Sequence, residues 1–265
     1  MKGLEKLYIG TNTKMYKTIA NTKEYVSRLG ALSKEEDGED MELFVMPSFT
    51  ALPEAVKTAE GSPVRIGAQN MCWEPEGQYT GEISPVMLRE LGISLVMAGH
   101  SERRHVFGEQ DREINKKVIS GLKMGFTVLL CIGEEKEEKD AGAADALLRL
   151  QLRRDLYGIE PGTEANLWIA YEPVWAIGKE GVPASAEYAK ERHQEIKTCL
   201  TEIFGETGKE IPVLYGGSVN PRNAGELIEK EHIDGLFIGR SAWNADDFWA
   251  LIREVKPLFH RKRER

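Results

Sequence analysis

Eight short apolar or β-branched runs are spaced along this 265-residue chain, and each is followed by a longer stretch of helical period. The runs are Lys6–Gly10, Leu43–Met46, Val64–Gly67, Leu95–Ala98, Thr127–Cys131, Leu167–Ala170, Val213–Tyr215 and Gly235–Ile238. The helical stretches are Thr18–Leu29, Thr50–Ala59, Pro85–Leu91, Arg112–Met124, Ala143–Tyr157, Ala186–Phe204, Pro221–Glu229 and Ala245–Val255. Strict alternation means parallel pairing, because each helix is the crossover that returns the chain. An open doubly wound sheet and a closed (β/α)8 barrel both satisfy it. Eight near-equal units within about 250 residues favour the barrel. No Pro/Ser-rich linker divides the chain, and the most polar stretch, Ser33–Asp40, falls inside one βα unit. The expectation is an α/β fold with one barrel domain over residues 1–256 and a basic tail over 257–265 that is solvated.

Charge and cysteine content narrow the function classes. Lys plus Arg number 35 against 43 Asp plus Glu, a net charge of −8, which argues against a nucleic-acid binder held by phosphate contacts. A pocket for a small anion needs only one or two positive charges and stays open. Cys72, Cys131 and Cys199 are far apart, with no CxxC or Cys/His cluster, so a zinc site, an iron–sulfur cluster or a disulfide framework is not expected. The start MKGLEKLYIG lacks the apolar stretch of a signal peptide, and no run approaches about 18 apolar residues. A cytoplasmic protein with no membrane partner is the expectation.

In such a barrel, chemistry is built at the carboxyl ends of the strands. Asn12 and Lys14 follow the first run, and Gly99-His100-Ser101-Glu102-Arg103-Arg104 follow the fourth. Tyr171-Glu172-Pro173 follow the sixth, Gly216-Gly217-Ser218 the seventh, and Gly239-Arg240-Ser241 the eighth. Singly, each has a bland explanation. Lys14 can be a solvated lysine, His100 a hydrogen-bonded structural histidine, Glu172 a capping or paired carboxylate, and the glycines positive-φ turn residues. Their joint position on one rim favours chemistry. The stretch Pro173, Val174, Trp175, Ala176, Ile177, Gly178 is apolar for a loop. A lid that closes over substrate accounts for that composition, and a permanently packed loop is the alternative.

The runs Asn12-Thr13-Lys14-Met15, Gly67-Ala68-Gln69-Asn70, Thr80-Gly81-Glu82-Ile83-Ser84, Gly99 to Arg104, Ala170 to Gly178 and Tyr215 to Val219 resemble the triosephosphate isomerase family, in order and over nearly the whole chain. The resemblance implies an aldose–ketose isomerase of a small sugar phosphate of the glyceraldehyde 3-phosphate/dihydroxyacetone phosphate type, working without metal or other cofactor. It makes Glu172 the base that moves a proton between adjacent carbons. His100 becomes an electrophile kept neutral by the helix after it, and Lys14 a cation beside the phosphate and developing enediolate. Asn12 is implied as a hydrogen-bond partner of substrate oxygens and Glu102 as an acid that orders the site. Amides of Gly178, Ser218, Gly239 and Arg240 would hold the phosphate. Thr80 would reach the partner's site in a homodimer.

The chain departs from the family's usual pattern at several places. Thr13 stands where tryptophan is usual, Arg240 where a second glycine is usual, and Lys179-Glu180-Gly181 closes the lid segment in place of Thr-Gly-Lys. Together with Gly181-Val182-Pro183-Ala184-Ser185, the segment Gly235 to Trp243 is similar to an L-erythrulose 1-phosphate isomerase branch. That branch implies the same proton transfer on a four-carbon substrate. Readings from other classes are a silent phosphate-binding barrel, which should have lost Glu172, His100 or Lys14, and a Schiff-base aldolase, for which Lys14 is the one strand-end lysine.

Overall fold

The apolar runs form eight parallel strands that close on themselves in the computed structural model, which describes residues 4–34, 40–178 and 181–264. The strands are β1 (Leu7–Asn12), β2 (Met41–Met46), β3 (Val64–Ala68), β4 (Leu95–Ala98), β5 (Thr127–Ile132), β6 (Leu167–Tyr171), β7 (Val213–Tyr215) and β8 (Gly235–Ile238). Each pairs with the next in chain order, and β8 pairs with β1, so the sheet has no free edge. The first strand runs two residues beyond its apolar stretch. Thr11 pairs with Ile238 and Val45, and Asn12 pairs with Met46 alone, because the ladder with β2 runs one residue further than the ladder with β8.

Helices return the chain on the outside: α1 (Ile19–Ser33), α2 (Leu52–Ala59), α3 (Pro85–Glu90), α4 (Ser101–His105), α5 (Asp111–Lys123), α6 (Lys136–Asp140), α7 (Ala144–Asp155), α8 (Ala186–Phe204), α9 (Ala224–Ile228) and α10 (Ala245–Arg263). Their starts follow capping chemistry. Thr18, Ser84, Ser185 and Asn244 each accept a first-turn N–H, satisfying a donor that the helix itself cannot. Two short helices, α4 and α6, are new relative to the periodicity, since five residues each cannot display a period.

The last helix corrects the expected tail. It continues through Pro257 to Arg263, burying Phe259 and directing the Lys262 ammonium onto the carbonyls of Ile228 (2.8 Å), Lys230 (3.1 Å) and Ile233 (2.7 Å). Those carbonyls lie at and beyond the end of α9, where a cation satisfies orphan acceptors. Residues 257–263 therefore extend the barrel's outer layer. Residues 35–39 of the polar loop, Lys179 and Glu180 of the lid segment, and Arg265 lie outside the described residues.

Two apolar layers result. Inside the barrel, Phe44, Met46, Leu95, Met97, Leu129, Cys131, Trp168, Ala170, Leu214 and Phe237 fill the interior. Gly10 makes this possible, because a Cβ there would lie 2.4 Å from the Phe44 ring. Between strands and helices lies the larger layer of Leu, Ile, Val and Ala side chains.

One buried ionisable group sets an acid limit on this packing. His193 of α8 is fully buried between Tyr171 and Tyr215, with ring centroids 5.7 and 6.1 Å away. Its Nδ1–H donates to the His232 carbonyl at 2.9 Å. Burial, reinforced by the neighbouring cation Lys197, pushes its pKa down to about 3 from 6.5. Between those values the unfolded chain binds a proton that the native state does not. The stability from a neutral His193 is thus fully present above pH 6.5 and is lost as the pH falls toward 3. Between pH 7 and 5, urea unfolding should show a loss of about 2 kcal/mol from this group. His193→Gln should remove that part of the pH dependence, and a variant with the wild-type slope would contradict the assignment.

Candidate active site

The carboxyl end of β1 turns sharply. The Asn12 Oδ1 accepts the Lys14 N–H at 2.7 Å, and Lys14 adopts φ +52°, a left-handed conformation uncommon for a side-chain-bearing residue. Gln69 holds the turn from the end of β3, two strands away, donating from Nε2 to the Lys14 carbonyl (2.9 Å) and to the Met46 carbonyl of the intervening β2 (3.0 Å). The turn delivers the Lys14 ammonium to within 2.7 Å of Glu102 Oε1. Because this pair is partly exposed, it contributes little to stability. Its consequence is to fix where a positive charge stands.

From the end of β4 the chain passes through Gly99, at φ +71°, into His100, the N-cap of α4. His100 is 3% exposed, and its Nδ1 accepts the Glu102 backbone N–H at 3.2 Å. A ring nitrogen that accepts carries a lone pair, so this contact matches the tautomer with its proton on Nε2. That Nε2 is 3.6 Å from Glu172 Oε1, longer than a hydrogen bond. Glu102 also places Oε2 3.7 Å from His100 Nδ1 while its Oε1 holds Lys14, joining cation and imidazole through one side chain.

Glu172 leaves the end of β6 with its backbone N–H on the Ile132 carbonyl at 2.8 Å and its carboxylate 4% exposed. Its route is confined by two glycines. A Cβ on Gly216 would lie 2.7 Å from Glu172 Cγ, and one on Gly133 would overlap the Glu172 carbonyl. Its Oε2 accepts no hydrogen bond from any described residue, leaving a buried carboxylate oxygen with its lone pairs uncommitted. Cys131 lies against this carboxylate. Burial first, and then the Glu172 charge, push its thiol well above the ordinary value, so it stays protonated there.

The lid segment is packed at its beginning. Pro173 and Ala176 are buried, Val174, Trp175 and Ile177 are half-buried, and Gly178 is exposed at φ +92°. The Trp175 indole donates to Glu134 Oε1 at 2.8 Å, an oxygen that also accepts from Tyr171 (3.1 Å) and Tyr188 (2.9 Å). Lys139 stands 3.5 Å over the Trp175 ring. Ser218 meets the lid as well: its N–H donates to the Ala176 carbonyl at 3.2 Å, and its hydroxyl donates to the same oxygen. The Ser218 amide, expected to be free for a phosphate, is therefore engaged by the lid in this conformation. Gly239 and Arg240 lie in the turn after β8, where the Arg240 carbonyl accepts the Trp243 N–H at 3.1 Å and its side chain is exposed with no hydrogen bond or ion pair among the described residues. Thr80 is exposed in the β3–α3 loop.

The structure thus brings Asn12, Lys14, His100, Glu102 and Glu172 together at one end of the barrel, with the His100 Nε2 facing a buried carboxylate. Such a pair can protonate or polarise an oxygen and deprotonate an adjacent carbon. Sequence reasoning passed over Glu134, although it stands at the end of β5 where the same positional filter finds it. Gln69 and Trp243 were also passed over as contributors, because their partners come from other strands. Among the described residues, no group of three or more His, Cys, Asp or Glu side chains could hold a metal ion, and no helix is long and apolar enough to cross a membrane.

Comparison with known proteins agrees with this geometry. The family model described as triosephosphate isomerase matches residues 7–255. An L-erythrulose-1-phosphate isomerase of Rhizobium etli is 45% identical over 260 residues, covering 98% of this chain and 96% of that protein. A triosephosphate isomerase of Aquifex aeolicus is 42% identical over 244 residues, covering 92% and 97%. The crystal structure of triosephosphate isomerase from Bartonella henselae superposes with a TM-score of 0.85 at 33% identity, covering 95% of this chain and 99% of that one.

Proposed function

This chain belongs to the triosephosphate isomerase family, and from that premise we propose that it interconverts an aldose and a ketose of a small sugar phosphate by proton transfer through an enediolate. The observation that carries this reading is the buried Glu172 carboxylate 3.6 Å from His100 Nε2, with Nδ1 of the same ring accepting the Glu102 N–H. Glu172 takes a proton from the carbon beside the carbonyl while His100 Nε2–H stabilises the oxygen that gains negative charge. The proton then returns to the neighbouring carbon while the hydroxyl proton passes from its oxygen to the former carbonyl oxygen, so one C–H and one O–H bond break, one of each forms, and nothing is oxidised or reduced overall. Lys14 adds positive charge beside the developing anion, and Asn12 hydrogen-bonds the substrate oxygens.

Amides of Gly178, Ser218, Gly239 and Arg240 are the proposed phosphate ligands. Because the Ser218 N–H holds the Ala176 carbonyl, a phosphate at that amide must displace the lid contact, which links substrate arrival to lid movement. The exposed apolar side chains Met15 (94%), Tyr16 (65%) and Phe107 (66%) and the exposed Thr80 loop are the surface that a second copy would cover in a homodimer. A cytoplasmic role in sugar-phosphate breakdown follows from this reading.

For the substrate, L-erythrulose 1-phosphate is favoured. Support comes from the altered turn after β8, with Arg240 and Trp243, and from the name of the Rhizobium etli relative. The Aquifex aeolicus relative supports the three-carbon alternative, glyceraldehyde 3-phosphate with dihydroxyacetone phosphate. The test is kcat/KM for both sugars on one preparation. A preference of about tenfold to a hundredfold for the tetrulose is expected, the range that one added carbon can supply. A preference for the triose overturns the substrate reading, and activity on neither overturns the reaction class.

A further inference from the structure

The ladder between β1 and β8 ends at Thr11 and Ile238. Beyond it the two chains diverge into the Asn12–Lys14 turn and the turn carrying Gly239 and Arg240, with no backbone pairing between them. Trp243 spans this gap. Its indole N–H donates to the Asn12 carbonyl at 2.9 Å, and its ring lies against Tyr16 with centroids 4.5 Å apart. On the other side of the same turn, the Tyr25 hydroxyl of α1 donates to the Ala242 carbonyl at 2.6 Å. Asn12, whose carbonyl receives the indole, is also the residue whose side chain holds Lys14 at φ +52°. A conformation of that kind persists only where its surroundings over-determine it.

We propose that Trp243 is a positioning residue that sets the separation between the Lys14 ammonium and the amides of the β8 turn, and so tunes the site for a phosphate dianion. The inference rests on the phosphate-binding reading of that turn. It gives the tryptophan of the β8 turn a task that the strand ladder leaves undone. Affinity for the anion depends on both halves of the site holding their distance, because charge and hydrogen-bond donors must converge on one group.

The experiment compares wild type with Trp243→Phe, which keeps a six-membered ring against Tyr16 and removes the donor together with the five-membered ring that carries it. Three quantities are read: KM and kcat for the sugar phosphate turned over by wild type, affinity for inorganic phosphate by calorimetry, and Tm. KM and the phosphate Kd should rise together by about five- to tenfold, the span of one lost hydrogen bond, with kcat changed less and Tm nearly unchanged. Unchanged phosphate affinity overturns the proposal, and so does a fall in Tm without a change in phosphate affinity. Phosphate calorimetry needs no turnover. Wild type that binds phosphate yet isomerises neither sugar therefore counts against the proposed function, while the variant still tests the tether.

Discussion

Glu172→Asp is expected to lower kcat by about a hundredfold or more while KM changes by less than about threefold. Aspartate keeps the charge and the acidity class but withdraws the carboxylate by one methylene, about 1 Å, from the carbon it must deprotonate. The shortened chain has little freedom to compensate. The Glu172 backbone is fixed to Ile132, and the approach of Gly216 and Gly133 leaves the side chain one path into the site. Interactions with the phosphate and with the ground-state oxygens do not involve this carboxylate, so binding should survive. Steady-state kinetics on the preferred sugar phosphate check the split. A variant with wild-type kcat would remove Glu172 from the role of base.

The second large effect is expected at the opposite partner. His100→Gln should lower kcat by about a hundredfold, again with a smaller change in KM. The imidazole joins two functions in the proposed mechanism through one rigid ring: Nδ1 accepts the Glu102 N–H, and Nε2, 3.6 Å from Glu172, would meet the reacting oxygen. A flexible amide can donate, but it is not held by that backbone contact in one orientation. Charge accumulates on the oxygen on the way to the enediolate, so a well-aimed donor acts more on the transition state than on the bound substrate. Equal losses in kcat and in substrate affinity, or no loss, would contradict this role for His100.

Much of the fold is legible because a parallel strand and its crossover helix differ in hydrophobic period, and the chain changes period eight times. Strand-end position then made Lys14, His100 and Glu172 legible as a group. Other features depend on contacts between residues distant in sequence. The indole of Trp243 meets Asn12 across 231 residues, and the hydroxyl of Tyr25 meets Ala242 across 217. Neither leaves a local pattern. The basic end of α10 reads as a solvated tail because its composition is polar, yet three carbonyls beyond α9 supply the partners that draw Lys262 in. The Ser218 amide illustrates the same limit at the site. A glycine-rich turn suggests free N–H groups, and only the fold shows that the lid carbonyl of Ala176 takes this one.

The most direct test of the central claim is the isotope content of product formed in D2O. The purified protein converts its preferred sugar phosphate, and the product is analysed by proton NMR at both carbons of the isomerised pair. Removal and return of a proton by Glu172 predicts deuterium at the newly protonated carbon, because a carboxylate exchanges its proton with solvent between the two steps. Product free of deuterium would show that the migrating hydrogen never exchanges with solvent, as a hydride shift requires, and would contradict the exchange step of this mechanism.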